Sequence, residues 1–175
     1  MQITRAGEYG VLGLLALARR APGQVTMIDE VSREEDISKS FLAKIFQSLA
    51  RAGLVRSNRG TGGGFTLVKQ PADITVLEVI EAIEGKIAFQ RCLEDKPDCT
   101  HMGGCALCGL LHQAQDSVKD VFARTTLDSL AKQHVSFADH QKQHGLKGPK
   151  HQPGKPVPAK LISLSRKSKN IELTH

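Results

Sequence analysis

Residues 37–69 read ISKSFLAKIFQSLARAGLVRSNRGTGGGFTLVK, and this stretch decides the fold. In its first half, apolar side chains recur at helical spacing after a short polar segment, residues 38–40. The apolar positions are Ile37, Phe41, Leu42, Ile45, Phe46 and Leu49. Ser38 is a suitable N-cap and Gly53 a suitable stop, so the pattern predicts a helix that ends near Ala52.

Two helices are predicted upstream of this one. The first runs from Thr4 to about Arg20 and the second from about Met27 to Glu35. Residues 36–38 then form a turn. A helix pair of this kind, whose second member starts with polar and basic residues, is typical of a helix-turn-helix. The pattern is weak alone, because any small helical domain contains helix pairs.

The second half of the stretch predicts a hairpin. Residues 54–58 and 65–69 are typical of short strands, and residues 59–64 between them include four glycines. Glycine permits positive φ and a close backbone approach to a surface, so a hairpin directly after a recognition helix indicates a wing. Arg59 at its edge is placed to reach a phosphate or a narrow minor groove. A nucleotide site is disfavoured, because no Gly-Lys-Ser/Thr follows and the loop joins two strands.

The charge distribution favours a polyanionic partner. Between Asp36 and Asp73 there is no acidic residue, although six basic residues occur. The net charge of +6 arises after residue 144, where seven basic residues face one acidic residue. A one-sided block inside a neutral domain is a better footprint for DNA than a high isoelectric point. The predicted DNA-binding residues are Ser38, Lys39, Ser40, Lys44, Arg56, Arg59, Gly60, Thr61 and Gly62.

Composition excludes several other classes of protein. No apolar run is long enough to span a bilayer and no secretory signal is evident, so a cytoplasmic protein without membrane contact is expected. RNA binding is disfavoured, because the chain has no Trp and one Tyr for base stacking. An enzyme is disfavoured, because the sequence shows no nucleophile–base pair and no cofactor fingerprint.

Two further helices follow the wing. The first runs from Thr75 to Glu84 and buries Val76, Val79, Ile80 and Ile83. The second, from Cys105 to Arg124, has a continuous apolar stripe and is roughly 30 Å long. Because this length exceeds what so small a domain can cover, we expect the helix to pair with its copy in a homodimer. A last short helix covers Leu127 to Ala131.

All four cysteines lie within residues 92–108, in the loop after the first of these helices and in the first turn of the second, with the spacing Cys92-x6-Cys99-x5-Cys105-x2-Cys108. Clustered cysteines in a reducing compartment bind metal more often than they form disulfides. A structural zinc site usually has two close pairs, whereas only Cys105 and Cys108 form one here. The asymmetry favours an iron–sulfur cluster over zinc, and disulfide exchange without metal is a third interpretation.

The chain resembles the IscR/NsrR-type (Rrf-two) family of winged-helix transcription regulators over nearly all of residues 1–134. The segments that carry the resemblance are residues 1–10, 37–42, 53–55 and 59–65, together with the cysteine loop. The resemblance implies a homodimer on an imperfect DNA palindrome, with one cluster per subunit and the long helices crossed. It also implies that Cys92, Cys99 and Cys105 ligate that cluster.

The fourth ligand is where the chain departs from the family. Family members commonly use a histidine three residues after the third cysteine, or a carboxylate in the first helix of the partner subunit. Here Cys108 stands at the first position and Glu8 corresponds to the second. Cys108 is favoured, because a close Cys-x2-Cys pair at a helix start chelates readily. The choice between [2Fe–2S] and [4Fe–4S] stays open, and so does the operator.

The expected fold class is therefore mainly α with a small β-hairpin wing. Residues 1–85 form the winged helix-turn-helix, 86–104 the cluster-binding loop, 105–134 the dimerisation helix and the short helix after it, and 135–175 a polar basic tail without regular structure. The expected function is that of a repressor that senses redox conditions, nitric oxide or iron–sulfur status. A structural zinc or a thiol switch in the same loop is the alternative.

Overall fold

The computed structural model describes residues 3–60, 62–94, 105–134 and 138–139. Within these ranges the chain forms six α-helices and a two-stranded antiparallel sheet, which confirms the predicted winged-helix fold class. The elements are α1 (Arg5–Ala18), α2 (Ile28–Glu35), α3 (Lys39–Arg51), β1 (Val55–Asn58), β2 (Gly64–Leu67), α4 (Val76–Glu84), α5 (Ala106–Arg124) and α6 (Leu127–Ala131).

Helix α1 lies at the centre of the core and contacts α2, α3, α4 and α6. Its residues Leu14, Leu15, Ala16 and Leu17 are buried, so the helix is covered on several sides. Helix α4 comes close to α1 at Gly10, where an added Cβ would lie 2.1 Å from the end of the Ile83 side chain and would force that side chain to move. The helix begins at Thr4, whose hydroxyl accepts hydrogen bonds from the backbone N–H groups of Ala6 and Gly7.

Helices α2 and α3 form the predicted helix-turn-helix. The turn uses Asp36 in the left-handed region, at φ 53°, and then buries Ile37. The predicted stripe of α3 faces the core, with Leu42, Ile45, Phe46 and Leu49 buried and Phe41 half-buried. Ser38 is the N-cap as predicted, but its hydroxyl shares a hydrogen bond with the Ser40 hydroxyl and caps no backbone N–H.

The wing is the hairpin β1–β2, paired from Val55 with Leu67 to Asn58 with Gly64. A third short segment adds to it, because Thr26 and Phe65 exchange backbone hydrogen bonds of 3.0 and 2.9 Å. A Cβ at Gly64 would lie 2.3 Å from the Thr26 carbonyl oxygen, so this close pairing requires glycine. The wing is therefore joined to the segment that enters α2.

Helix α4 begins with a capping box in which Thr75 and Glu78 bond each other's backbone N–H groups. Burial raises the pKa of the Glu78 carboxyl. Hydrogen bonds from Thr75 and Lys69, together with the charge of Lys69, lower the pKa by more than burial raises it, so it lies below its ordinary value. The carboxylate form that the cap needs is thus favoured.

Helix α5 packs on α4, and the chain then returns to the core through α6, whose Leu127 is fully buried against the α1 side. Two backbone hydrogen bonds of 2.9 Å fasten this return to the start of α4, from Val76 to Thr125 and from Leu127 to Ile74. None of the helices in the described part of the chain has the length and apolar character required to cross a bilayer.

Candidate DNA interface and cysteine loop

The predicted DNA-binding residues share one property in the structure, which is exposure. Thr61 lies outside the described residues. The eight others all have exposed side chains or, for the glycines, exposed backbone: Ser38, Lys39, Ser40, Lys44, Arg56, Arg59, Gly60 and Gly62. The first four lie at the start of α3 and the last four on the hairpin, so two elements present them.

The wing and α3 are held together by an aromatic contact beneath this surface. Phe46 of α3 and Phe65 of β2 meet edge to face, with ring centroids 4.8 Å apart. The hairpin tip has the conformation that its glycines were expected to permit, with φ 114° at Gly60 and 84° at Gly62. The contact between Phe46 and Phe65 thus holds the strands of the hairpin against α3.

One lysine of the predicted interface has an acidic partner. Lys39 Nζ lies 2.7 Å from Oδ1 and 2.9 Å from Oδ2 of Asp29, in the first turn of α2. The side chains are 61% and 53% exposed respectively, so both remain in contact with solvent. This ion pair joins the starts of the two helices, and the sequence pattern did not predict it.

Three of the four predicted metal ligands lie within the described residues. Cys92 is half-buried in a 3₁₀ turn, Arg91–Leu93, that precedes the undescribed part of the loop. Cys105 is the exposed N-cap residue of α5, and half-buried Cys108 lies in the first turn of that helix. The Cys108 N–H donates to the Cys105 carbonyl oxygen at 3.2 Å, so a single helical turn carries both thiols.

This arrangement fits a thiolate-ligated metal in its chemistry. Thiolates are the preferred ligands of iron–sulfur clusters. The helix N-terminus at Cys105 favours negative charge, and the first turn of α5 contains no acidic side chain to oppose it. Cys99 lies outside the described residues, and within the described ranges no three His, Cys, Asp or Glu side chains come together as a metal site.

Gln115 anchors the segment that leads to Cys92. It is the buried residue of α5, 3% exposed, and its Oε1 accepts a hydrogen bond from the Phe89 backbone N–H at 3.0 Å. Ile87 belongs to the same segment and is buried against Val76 and Ile80 of α4. The residues just before the cysteine loop are therefore fixed between α4 and α5.

The chain is long enough for Cys92 to approach Cys108, although the structure does not bring Cys92, Cys105 and Cys108 together as one metal site. Cys108, Leu111 and Gln115 share one helix face, because they follow the spacing i, i+3 and i+7. Cys108 lies about 10 Å from Gln115 along the axis of α5. The three residues from Phe89 to Cys92 span at most about 10 Å. The chain length therefore allows Cys92 to approach the turn that carries Cys105 and Cys108.

Glu8, the alternative fourth ligand, is exposed in the first turn of α1. A different carboxylate occupies the start of that helix. Glu84, the last residue of α4, accepts hydrogen bonds from the Thr4 backbone N–H at 2.8 Å and from its hydroxyl at 3.0 Å. The start of α1 is thus fastened to the end of α4, directly before the segment that leads to the cysteines.

Arg19, Glu35 and His134 form a further polar cluster, at the end of α2. The Glu35 side chain at the end of α2 is 2% exposed and lies 2.8 Å from Arg19 Nη2 and 3.2 Å from His134 Nε2. Because His134 follows α6, the group joins the C-terminal part of the fold to α1 and α2. Sequence patterns did not single out these residues, since each is a common surface type.

Three comparisons with known proteins agree with this architecture. The profile of the Rrf2 family, described as "Iron-dependent Transcriptional regulator", matches residues 3–133. The HTH-type transcriptional regulator IscR of Pectobacterium atrosepticum is 32% identical over 143 residues, which cover 81% of this chain and 87% of that protein. The structure of CymR, described as the global cysteine regulator of B. subtilis, has a TM-score of 0.63 and 30% identity over 77% of this chain and 99% of its own. The oxidized form of Staphylococcus aureus CymR has a TM-score of 0.61 and 29% identity over 77% and 98%.

Proposed function

The chain belongs to the Rrf2 family of transcriptional regulators, and from that premise we propose that it is a homodimeric repressor controlled by an iron–sulfur cluster on its cysteine loop. Members of the family are DNA-binding transcription regulators and not enzymes. The cluster would respond to redox conditions, nitric oxide and iron–sulfur status.

The placement of the three described thiols carries the proposal. Cys105 and Cys108 lie in one turn of α5, and the three residues from the anchored Phe89 to Cys92 are long enough to reach that turn. Cys92, Cys99 and Cys105 would hold the cluster, with Cys108 as fourth ligand. When bound, the cluster would supply a centre that reacts with oxidants and nitric oxide. The family description as iron-dependent supports the same assignment.

DNA binding is assigned to the start of α3 and to the wing. In a helix-turn-helix the N-terminal part of the second helix enters the major groove, which gives this role to Ser38, Lys39 and Ser40 in the first turn and to Lys44 one turn further on. Arg56, Arg59 and the hairpin tip at residues 60–62 would contact the backbone or the minor groove. All of these residues that the structure describes are exposed.

Dimerisation is assigned to α5. Leu107, Leu110 and Val121 are 54%, 60% and 56% exposed, although they belong to its apolar stripe. Apolar side chains of this size at helical spacing favour a second helix as their partner. In the proposed dimer the helices of both subunits cover these residues, which would bring two DNA-binding units to half-sites about one helical turn of DNA apart.

The route from the loop to the DNA surface follows packed contacts of the chain. Phe89 and Ile87 pack with α4 and α5, and Glu84 at the end of α4 bonds Thr4 at the start of α1. Helix α1 in turn contacts α3. A change in the order of the loop would therefore shift elements that support both halves of the DNA surface.

The test compares one preparation in two states. Protein purified without oxygen should show visible absorption typical of a cluster, and its affinity for an operator selected from random duplexes should change after exposure to oxygen or nitric oxide. A colourless protein containing zinc, whose operator affinity is the same before and after oxidation, would refute the proposal.

A thiol switch in the same loop is the second candidate. Cys105 and Cys108 lie in one helical turn with the first exposed, and a relative of similar fold, S. aureus CymR, is known in an oxidized form. Reversible modification of a thiol would then change DNA affinity without a metal. Iron and zinc analysis of the same preparation separates the cluster, the structural zinc and the metal-free thiol.

A further inference from the structure

An exposed ion pair joins Asp29 of α2 to Lys39 of α3. Lys39 lies in the first turn of α3 and Asp29 in the first turn of α2, and both carboxylate oxygens are within 2.9 Å of the lysine Nζ. In the helix-turn-helix arrangement the first helix crosses the DNA backbone while the second enters the major groove. The pair therefore lies at the edge of the fold that faces DNA.

A paired lysine contributes less to DNA binding than an unpaired one. A lysine that neutralises a phosphate releases a condensed counterion, which drives the binding of proteins to duplex DNA. Lys39 must first leave Asp29, and the exposed carboxylate then takes up a cation. The net number of ions released when Lys39 contacts a phosphate is therefore close to zero, and the Asp29 carboxylate remains as a negative charge next to the phosphates.

We propose that Asp29 is an internal counterion for Lys39 that lowers the affinity of this protein for duplex DNA and weakens the salt dependence of binding. The inference rests on the DNA surface assigned under Proposed function. It goes beyond that assignment, because it gives an acidic residue outside the basic block a role in setting affinity. A protein whose binding must be reversible gains from a device that limits contacts with backbone phosphates.

Lys44 provides an internal comparison. It lies on the same helix and is exposed, and no acidic side chain within the described residues forms a salt bridge with it. Glu30 provides the second comparison, because it is in the same turn of α2 as Asp29 but no ion pair joins it to Lys39. The chain therefore offers a paired and an unpaired lysine, and two neighbouring carboxylates, for one experiment.

The experiment measures binding to a fluorescently labelled mixed-sequence duplex by anisotropy across a series of salt concentrations. The full-length variants are Asp29→Asn, Glu30→Gln, Lys39→Met, Lys44→Met and the double change at 29 and 39. Asp29→Asn should bind about two- to fivefold more tightly, the range of an exposed ion pair. Its salt slope should steepen by about 0.9, the value for one additional phosphate contact.

The controls decide whether the gain acts through Lys39. Glu30→Gln should gain less than Asp29→Asn, and Lys39→Met should lose less affinity than Lys44→Met. In the Lys39→Met background the change at position 29 removes only a negative charge near the phosphates, so its gain in affinity should be clearly smaller than in the unchanged protein. A gain of equal size in that background, or an Asp29→Asn variant that binds no more tightly than the unchanged protein, would overturn the inference.

Failure of the underlying assignment gives a different result. If Lys44→Met leaves affinity and salt slope unchanged, the DNA surface has been assigned wrongly. If Lys44→Met weakens binding while Asp29→Asn has no effect, the surface stands and only the role of Asp29 is refuted. Circular dichroism spectra of all variants should superimpose, because Asp29, Lys39 and Lys44 are exposed and Glu30 is only half-buried, so none of these side chains belongs to the core.

Discussion

The backbone N–H of Phe89 donates a hydrogen bond to the side-chain Oε1 of Gln115, with a donor–acceptor distance of 3.0 Å. This contact joins the segment before the cysteines to the helix that starts with Cys105. The buried amide group lies at a position where the helical pattern would place an apolar side chain. Gln115, which is not itself a proposed metal ligand, thus holds the segment that leads to Cys92.

Replacing Gln115 by Met should weaken this link. Methionine has a similar volume but leaves the Phe89 N–H without its acceptor, and an unsatisfied buried donor costs about 1–3 kcal/mol. Thermal unfolding should show the loss of stability, and the iron retained after gel filtration should fall. Exposed Gln113 on the same helix is the matched control, and its change to Met should alter neither quantity. Equal behaviour of the two variants would refute the anchor.

Replacing Arg59 by Ala should weaken operator binding and reduce the salt slope. One lost phosphate contact lowers the magnitude of the slope by about 0.9. The loss follows from the position of Arg59 at the edge of the wing, where its side chain is exposed. Arg124→Ala removes the same charge from the exposed end of α5 and should leave both quantities unchanged. An unchanged slope in Arg59→Ala would exclude the wing from the interface.

Replacing Glu35 by Ala should destabilise the fold. The change leaves Arg19 and His134 without their shared carboxylate, and breaking a buried ion pair costs about 3–5 kcal/mol, with a smaller loss here because Arg19 is partly exposed. Glu34 also pairs with Arg19 and Arg20 but is 30% exposed. Its replacement by Ala should cost within about 1 kcal/mol. Urea unfolding gives both values, and equal losses would contradict the special role of Glu35.

The fourth ligand can be identified by a pair of substitutions. Cys108→Ser should lower the cluster content of protein purified without oxygen and shift its visible spectrum, because Cys108 lies one turn from Cys105. Glu8→Gln should leave the spectrum unchanged. The reverse pattern, with an altered spectrum only in Glu8→Gln, would assign the ligand to the first helix of a partner subunit and leave Cys108 as a thiol near the cluster.

Local patterns predicted the parts of this fold that depend on local physics. The stripe of Leu42 and Phe46 predicted the core face of α3, and the glycines at residues 60–64 predicted the hairpin. The bond between Gln115 and Phe89 was not predicted, because it joins residues 26 positions apart. A polar residue on the apolar stripe between Leu111 and Val118 was the signal that could have revealed it.

The residues of the predicted DNA surface that the structure describes are exposed, but the sequence did not reveal that one of its positive charges is paired. Lys39 is exposed as expected, but its ion pair with Asp29 comes from another helix. Charge counted along the sequence treats Lys39 as unpaired, since Asp29 lies outside the basic block. Pairing of this kind follows from how α2 and α3 pack, which no local pattern encodes. The link from Glu84 to Thr4, residues 80 positions apart, has the same origin.

The most direct test of the central claim is the iron and acid-labile sulfide content of protein purified without oxygen. The unchanged chain should contain iron and sulfide in equal amounts. A variant with Ala at Cys92, Cys99 and Cys105 should contain neither, while its circular dichroism spectrum shows the same helical fold. Stoichiometric iron and sulfide in that variant would contradict the account, because the cluster would then be held by other residues.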